Sequence, residues 1–304
     1  MRRRDLADLV LLAALWGASF MFMRVAAPQF GAFPLMSLRT GIAAAVLLPF
    51  ALRGAGAAEL RANAAPIAWI GLVNSALPFA LLGYAMQSLS AGFTAILNAT
   101  SPFWGAIVAF LWIGERLGRL RVTGLLIGFA GVLVLVLSRH GVVAGESPWP
   151  LLAALLATAL YGFSVVAARK HLADVGPLTG AAGSQLFATM MLLPFAIIRW
   201  PQTPPDARAW TSTVLLGVFA TGLAYVLFFR LIARVGASRA IAVTFLIPVF
   251  GMFWGALFLG EAITAGMLLG TATILFGTAL TTGVLDFRRR ASPRPRGSEG
   301  LNPD

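Results

Sequence analysis

The sequence predicts an all-α polytopic membrane protein of ten transmembrane helices, arranged as a five-plus-five inverted repeat. Three observations predict it. Hydrophobic residues make up 59% of the 304-residue chain against 11% charged, and mean hydropathy is +0.86, far from the surface charge that a soluble domain needs. The second half repeats the first: Ala91, Pro102, Gly105, Gly114, Glu115, Gly124 and Gly131 recur 146 positions later as Ala237, Pro248, Gly251, Gly260, Glu261, Gly270 and Gly277. Earlier in each half the offset is 145, pairing Gly17, Ser19, Arg24 and Pro49 with Gly162, Ser164, Arg169 and Pro194. Finally, the arginines fall almost entirely on one side of the predicted crossings. An odd number of crossings per repeat inverts one half relative to the other, the plan of carriers with two exchangeable states.

Each helix is read from a stretch of about 20 apolar residues, the length that spans a bilayer. The first covers 7–25 behind Arg2, Arg3 and Arg4. These basic residues ahead of an apolar run mimic a signal peptide, but Trp16–Phe20 matches Tyr161–Val165 in the second half, so the segment is a first crossing. The second, 34–52, opens on Pro34 and carries Arg39; the third, 67–86, contains Pro78. The fourth, 91–113, contains Pro102 and ends before Gly114 and Glu115; the fifth covers 120–138. The second set follows as 149–168, 178–198, 210–230, 236–259 (with Pro248, ending before Gly260 and Glu261) and 265–285. The repeats span 6–138 and 149–285, and 286–304, rich in Arg, Pro, Ser and Gly, reads as a disordered cytoplasmic tail.

Orientation follows from charge. The amino terminus, the even-numbered connections and the tail hold eighteen of the 23 Lys and Arg residues; Arg139, Arg199 and Arg208 lie opposite, and Arg24 and Arg39 within or near spans. By the positive-inside rule both termini are cytoplasmic, and 139–148 and 200–208 are periplasmic. Topology also explains the +12 net charge. The arginines sit in short connections, not on one face, which argues against nucleic acid.

Catalytic material is scarce. There is no Cys, hence no thiolate or Cys-metal site. His140 and His171 fall on opposite sides of the membrane, too far apart for one metal site. Lys170 is the single lysine and fits no phosphate-binding loop. The eleven carboxylates lie in termini, connections or helix ends. The expectation is no enzyme, no cofactor and no metal; the partners are the lipid bilayer and a small-molecule substrate.

The substrate path is sought at broken helices and buried polar groups. Pro102 frees the Asn98 carbonyl, Pro248 that of repeat-related Thr244, and Pro78 that of Asn74. In lipid such groups are tolerated only against protein or a watery cavity; each proline reads as a hinge at the path or as a kink satisfied by neighbouring helices. Thr94, Asn98, Ser101 and Gly105 share a face, as do Trp16, Ser19, Phe20 and Met23, and Thr221, Tyr225 and Phe228. The candidates are Trp16, Ser19, Asn74, Asn98, Ser101, Tyr161, Ser164, Thr221, Tyr225 and Thr244, although aromatic stripes also serve plain packing. Trp69, Trp112, Trp149, Trp200 and Trp210 lie near span ends, as an interfacial belt does. Three charged residues complete the list. Glu115 and Glu261 end repeat-related helices on opposite sides, where they close a helix end, pair with an arginine such as Arg116, or titrate with protons. Arg39 either holds a substrate carboxylate or snorkels from a shallow position and caps carbonyls; its counterpart is the neutral Ser184.

These residues carry a family resemblance. W-G-x-S-F in the first helix, Pro34-L-M-S-L-Arg39 opening the second, and a proline followed by Gly-Glu closing the fourth (Pro102 to Glu115) and ninth (Pro248 to Glu261) resemble the drug/metabolite transporter superfamily, EamA type. The resemblance covers residues 6–285 and implies an inner-membrane exporter of amino acids, related metabolites or drugs. It implies a central cavity walled by helices one to four and six to nine, with five and ten peripheral. Within the family the chain looks most like exporters of aromatic and neutral amino acids. Tyr161 in place of Trp and Ser184 in place of Arg depart from strict two-fold use of the site. The missing mid-membrane carboxylate favours a facilitator or exchanger over proton coupling. The competing readings are a proton-coupled drug-efflux carrier and, in other classes, a channel or a non-transporting receptor; transient uphill exchange separates a carrier from the last two.

Overall fold

The computed structural model describes residues 2–138, 147–240 and 242–284. The expectations for Arg139, His140 and the 286–304 tail lie outside these residues. Ten apolar helices follow one another: α1 (Arg3–Phe30), α2 (Ala32–Ala51), α3 (Ala64–Ala85), α4 (Ala91–Ile113), α5 (Arg119–Leu137), α6 (Trp149–His171), α7 (Pro177–Ile198), α8 (Ala207–Val235), α9 (Val243–Leu259) and α10 (Ala265–Thr281). No strand occurs among the described residues. The first eight are 19–29 residues long with mean hydropathy 1.5–2.3, as crossing a membrane requires, and α9 and α10 are shorter. The chain is therefore an all-α, multi-pass membrane protein. Large apolar side chains such as Leu111, Leu126, Leu137 and Ile198 stand exposed on the outside, where lipid is as apolar as they are. The five tryptophans expected at an interfacial belt are exposed too.

The repeat is visible in the contacts between helices. Gly17 of α1 packs on α9, where an added Cβ would stand 2.5 Å from Cβ of Phe250. Its counterpart Gly162 of α6 packs on α4, with an added Cβ 2.6 Å from Cβ of Trp104 and in collision with the Gly105 amide. Likewise Gly71 of α3 meets the Ser184 carbonyl of α7, and Gly217 of α8 the Arg39 carbonyl of α2. The α5–α10 crossing is comparably close: a Cβ on Gly277 would sit 2.6 Å from the Gly124 carbonyl and the Gly128 amide.

Two local features differ from the expectation drawn from the prolines. First, α3 and α8 both contain a π-helical turn, Leu72–Ala76 and Val218–Leu223, at positions that correspond at the 146-residue offset. Pro78 follows the first, but Ala224 stands at its counterpart, so proline alone does not make the turn. Second, the matched prolines do not give matched breaks. α4 is interrupted at Ala99–Thr100, leaving Pro102 in the first turn of the continuing helix, where a missing N–H costs nothing. α9 runs unbroken through Pro248 and instead starts late, after a separate turn at Ala237–Ala240.

Candidate functional site

The freed carbonyls expected at the α4 break are not free. The Ser101 hydroxyl donates to the Asn98 carbonyl at 2.7 Å and the Thr100 hydroxyl to the Leu97 carbonyl at 2.7 Å. Thr278 reaches across from α10 to the Ala99 carbonyl at 3.2 Å. The backbone of the break is thus closed by hydroxyls, and what it delivers to the interior is the Asn98 side chain.

That side chain lines a cavity of about 280 Å³ between the two repeats. Nine of the ten polar and aromatic candidates meet there: Trp16 and Ser19 from α1, Asn74 from α3, Asn98 and Ser101 from α4, Tyr161 from α6, Thr221 and Tyr225 from α8, and Thr244 from α9. The tenth, Ser164, stands just behind, its hydroxyl 2.8 Å from both Asn74 Oδ1 and the Tyr161 carbonyl. Helices α5, α7 and α10 contribute nothing to this cavity; α7 enters only through an adjoining pocket that includes Ser184 and Gln185. The wall is aromatic, with Trp16, Phe20, Phe79, Tyr161 and Tyr225 in its lining and the Phe79 and Tyr161 rings 6.3 Å apart; Phe228 packs on Trp16 at 5.1 Å from outside it. Phe79, Leu82, Val165, Ala220 and Ile247 also line the cavity and are not among the candidates drawn from the sequence. Phe79 was detectable as the residue beside Pro78, whereas Leu82 and Ile247 look like any core aliphatic.

Arg39 corrects the expectation most sharply. It does not snorkel, nor does it cap carbonyls; it is 6% exposed and turned into the cavity. Its Nε donates to Thr221 Oγ1 at 3.0 Å, its Nη1 approaches Met23 Sδ at 3.4 Å, and its Cζ lies 3.7 Å from the Phe79 ring centroid. Its place near the start of α2 makes it look shallow in the sequence. In the fold the side chain leans inward, toward the π-turn of α8 that carries Thr221.

The two glutamates sit far from Arg39, at opposite ends of the bundle. Glu261, just beyond α9, accepts the Ala91 and Gly92 amides at 2.7 and 3.1 Å. It thereby caps the first turn of α4, whose N–H groups have no intrahelical partner. Glu115 pairs with Arg121 at 2.7 Å and with Arg169 at 3.9 Å, not Arg116 as the sequence suggested. The Pro78 and Pro248 rings do not line the cavity; Pro102 lines a pocket of about 680 Å³ running from the cavity to Glu115. This pocket shares Trp16, Ser101, Tyr161, Val165 and Thr244 with the cavity. A vestibule of about 600 Å³ at the other end, containing Arg24 and Glu261, shares none of its lining. The cavity is therefore continuous with the end that carries the amino terminus and closed toward the end that carries Glu261. Among the described residues no three His, Asp or Glu side chains gather as metal ligands.

The two halves also match one family profile separately. The sequence profile of the EamA-like transporter family matches residues 7–137 and 148–283. The chain belongs to this family. A protein of Streptantibioticus cattleyicolor named probable terminal-alkyne amino-acid exporter is 28% identical over 290 residues, 94% of this chain and 96% of its own. One of Salmonella typhimurium, named probable amino-acid metabolite efflux pump, is 27% identical over 311 residues, 98% and 100% of the two chains. A crystal structure with TM-score 0.65 and 20% identity covers 96% of this transporter and 100% of its own chain, and so shares its fold.

Proposed function

We propose that this transporter exports amino acids or related small metabolites across the bacterial inner membrane by alternating access, as a facilitator or exchanger. The observation that carries the reading is the cavity between the repeats. It is polar and aromatic, and among its described lining residues it has one permanent cation and no carboxylate or histidine. A group that never deprotonates at physiological pH cannot carry protons. The two relatives named as exporters of amino acids or their metabolites support the substrate class. Both termini are placed in the cytoplasm, on the eighteen-to-three distribution of Lys and Arg. The cavity is then open to the cytoplasm, where an exporter collects its substrate.

Counterflow tests the function. Proteoliposomes loaded with unlabelled neutral amino acids should transiently accumulate an external labelled one above its equilibrium level, which neither a channel nor a receptor produces. An imposed pH gradient alone should not sustain accumulation; accumulation that tracks the gradient and disappears in Glu115→Gln or Glu261→Gln would overturn the uncoupled mechanism. Orientation is read separately, by labelling Ser147→Cys or Thr203→Cys with an impermeant maleimide in intact cells. Protection of both would reverse the topology.

A further inference from the structure

Arginine has five N–H donors and stays charged at every relevant pH. Moving such a group out of water costs several kcal/mol unless a counter-charge and hydrogen bonds compensate. Around Arg39 the compensation is incomplete. Thr221 offers one neutral oxygen, Met23 a thioether and Phe79 a ring face. No carboxylate lies within 4.0 Å among the described residues, and Nη2 donates to none of them. Nearby, Asn98 Oδ1 is buried without any donor. One cavity thus holds a cation in want of an anion and an acceptor in want of an N–H. A free α-amino acid carries both complements, two bonds apart on one carbon.

We propose that the cavity reads the two charged ends of a neutral amino acid, the carboxylate by a forked contact with Arg39 and the ammonium by Asn98 Oδ1. This rests on the reading of the chain as an amino-acid exporter, and it adds which groups the substrate must keep free. The carboxylate supplies the counter-charge that the protein withholds, and a planar fork matches it better than an ammonium does. The neutral side chain then rests against Trp16 and Tyr161. A volume of about 280 Å³ holds roughly nine water-sized groups at about 30 Å³ each, the size of leucine with its nine or so non-hydrogen atoms.

The test uses the full-length protein in proteoliposomes and labelled leucine counterflow, with unlabelled competitors. Leucine should compete at least tenfold better than leucinamide or isoamylamine, which lack the carboxylate, and several-fold better than 4-methylpentanoate, which lacks the amine. Arg39→Lys should keep the preference for acid over amide with slower exchange, and Arg39→Gln should lose it. Leucine should raise the melting temperature of the wild type but not of Arg39→Gln, which should itself melt no lower than the wild type because a buried charge is gone. Leucinamide competing as well as leucine would overturn the proposal. So would an Arg39→Gln variant that melts lower and still prefers acid to amide, since Arg39 would then be a packing residue. Absence of counterflow with every amino acid would instead defeat the exporter reading, a distinguishable result.

Discussion

Glu261→Gln should open the cavity toward the end of the bundle at which Glu261 lies. Gly260 ends α9 in a left-handed turn, φ +66°, and brings the next residue back against the start of α4. There the carboxylate takes two amides, at 2.7 and 3.1 Å, from a helix terminus that itself favours negative charge. Hydrogen bonds to a charged group contribute about 1.5–3 kcal/mol each when buried. Glu261 is half-buried, and glutamine keeps one acceptor oxygen, so the expected loss is about 1–2 kcal/mol. These bonds join α4 of the first repeat to the end of α9 of the second, on the closed side of the cavity. Their loss should therefore favour the alternative state by about 5- to 30-fold. The native chain has no cysteine, so Ser19→Cys provides a single reporter in the cavity. Its labelling by an impermeant maleimide, compared in intact cells and inverted vesicles, should quicken from the Glu261 side and slow from the other. If both rates are unchanged in a Glu261→Gln protein of wild-type melting temperature, the glutamate is a helix cap with no bearing on access.

Three further outcomes are expected. Gly277→Ala places a Cβ 2.6 Å from the Gly124 carbonyl and Gly128 amide, an overpacking of about 1–3 kcal/mol; a lowered melting temperature with unchanged leucine exchange in the cold would check it, because α5 and α10 lie outside the cavity. Hydrogen bonds from Thr179 and the Gly176 amide hold Glu59 below the usual carboxylate range. Its bridge from the α2–α3 connection to α7 is then complete above about pH 4.3 and lost as pH falls through the lowered pKa, so Glu59→Gln should melt below wild type at pH 7 and converge with it in strong acid. Finally, a carrier without substrate must move Arg39 between states without its counter-charge, so leucine on the far side should accelerate efflux of labelled leucine, and Arg39→Gln should abolish the acceleration.

The fold was largely legible because membrane burial writes itself in composition. Runs of apolar residues gave the crossings, and the glycine, proline and glutamate repeat gave the relation between halves, since helix crossings as close as those at Gly17 and Gly162 admit no larger residue. Boundaries moved where hydropathy is blind: α1 extends to Phe30 and α9 begins at Val243, both set by local turns and tertiary packing. Most of the polar lining of the candidate cavity was legible for a related reason, as polar side chains inside spans must find protein partners or water. What sequence could not supply was direction. The inward-turned Arg39 bonds Thr221 within the π-helical turn of α8, and π-turns leave no periodic signal. The assumption that paired prolines break paired helices failed for the same reason, because a break is set by the hydroxyls and packing around it, not by proline alone.

Under the proposed alternating-access mechanism, the asymmetry inside a symmetric scaffold would have a role. Alternating access needs two arrangements of similar energy, and the matched close α1–α9 and α6–α4 crossings fit that need. Recognition of a polar molecule needs the reverse, a site whose two ends differ. The chain departs from its repeat at Arg39 against Ser184, Asn74 against Ala220 and Asn98 against Thr244. All but Ser184 face the cavity or belong to its lining. Restoring symmetry with Ser184→Arg would place a second cation beside Gln185, whose Oε1 is already buried without a donor, and about one helix pair from the first. Two like charges in one low-dielectric interior would repel each other, and a single carboxylate could neutralise only one of them. The repeats therefore share their packing residues while the charge stays on one side only, which under the proposed mechanism would let the bundle rock symmetrically around a substrate held by one end.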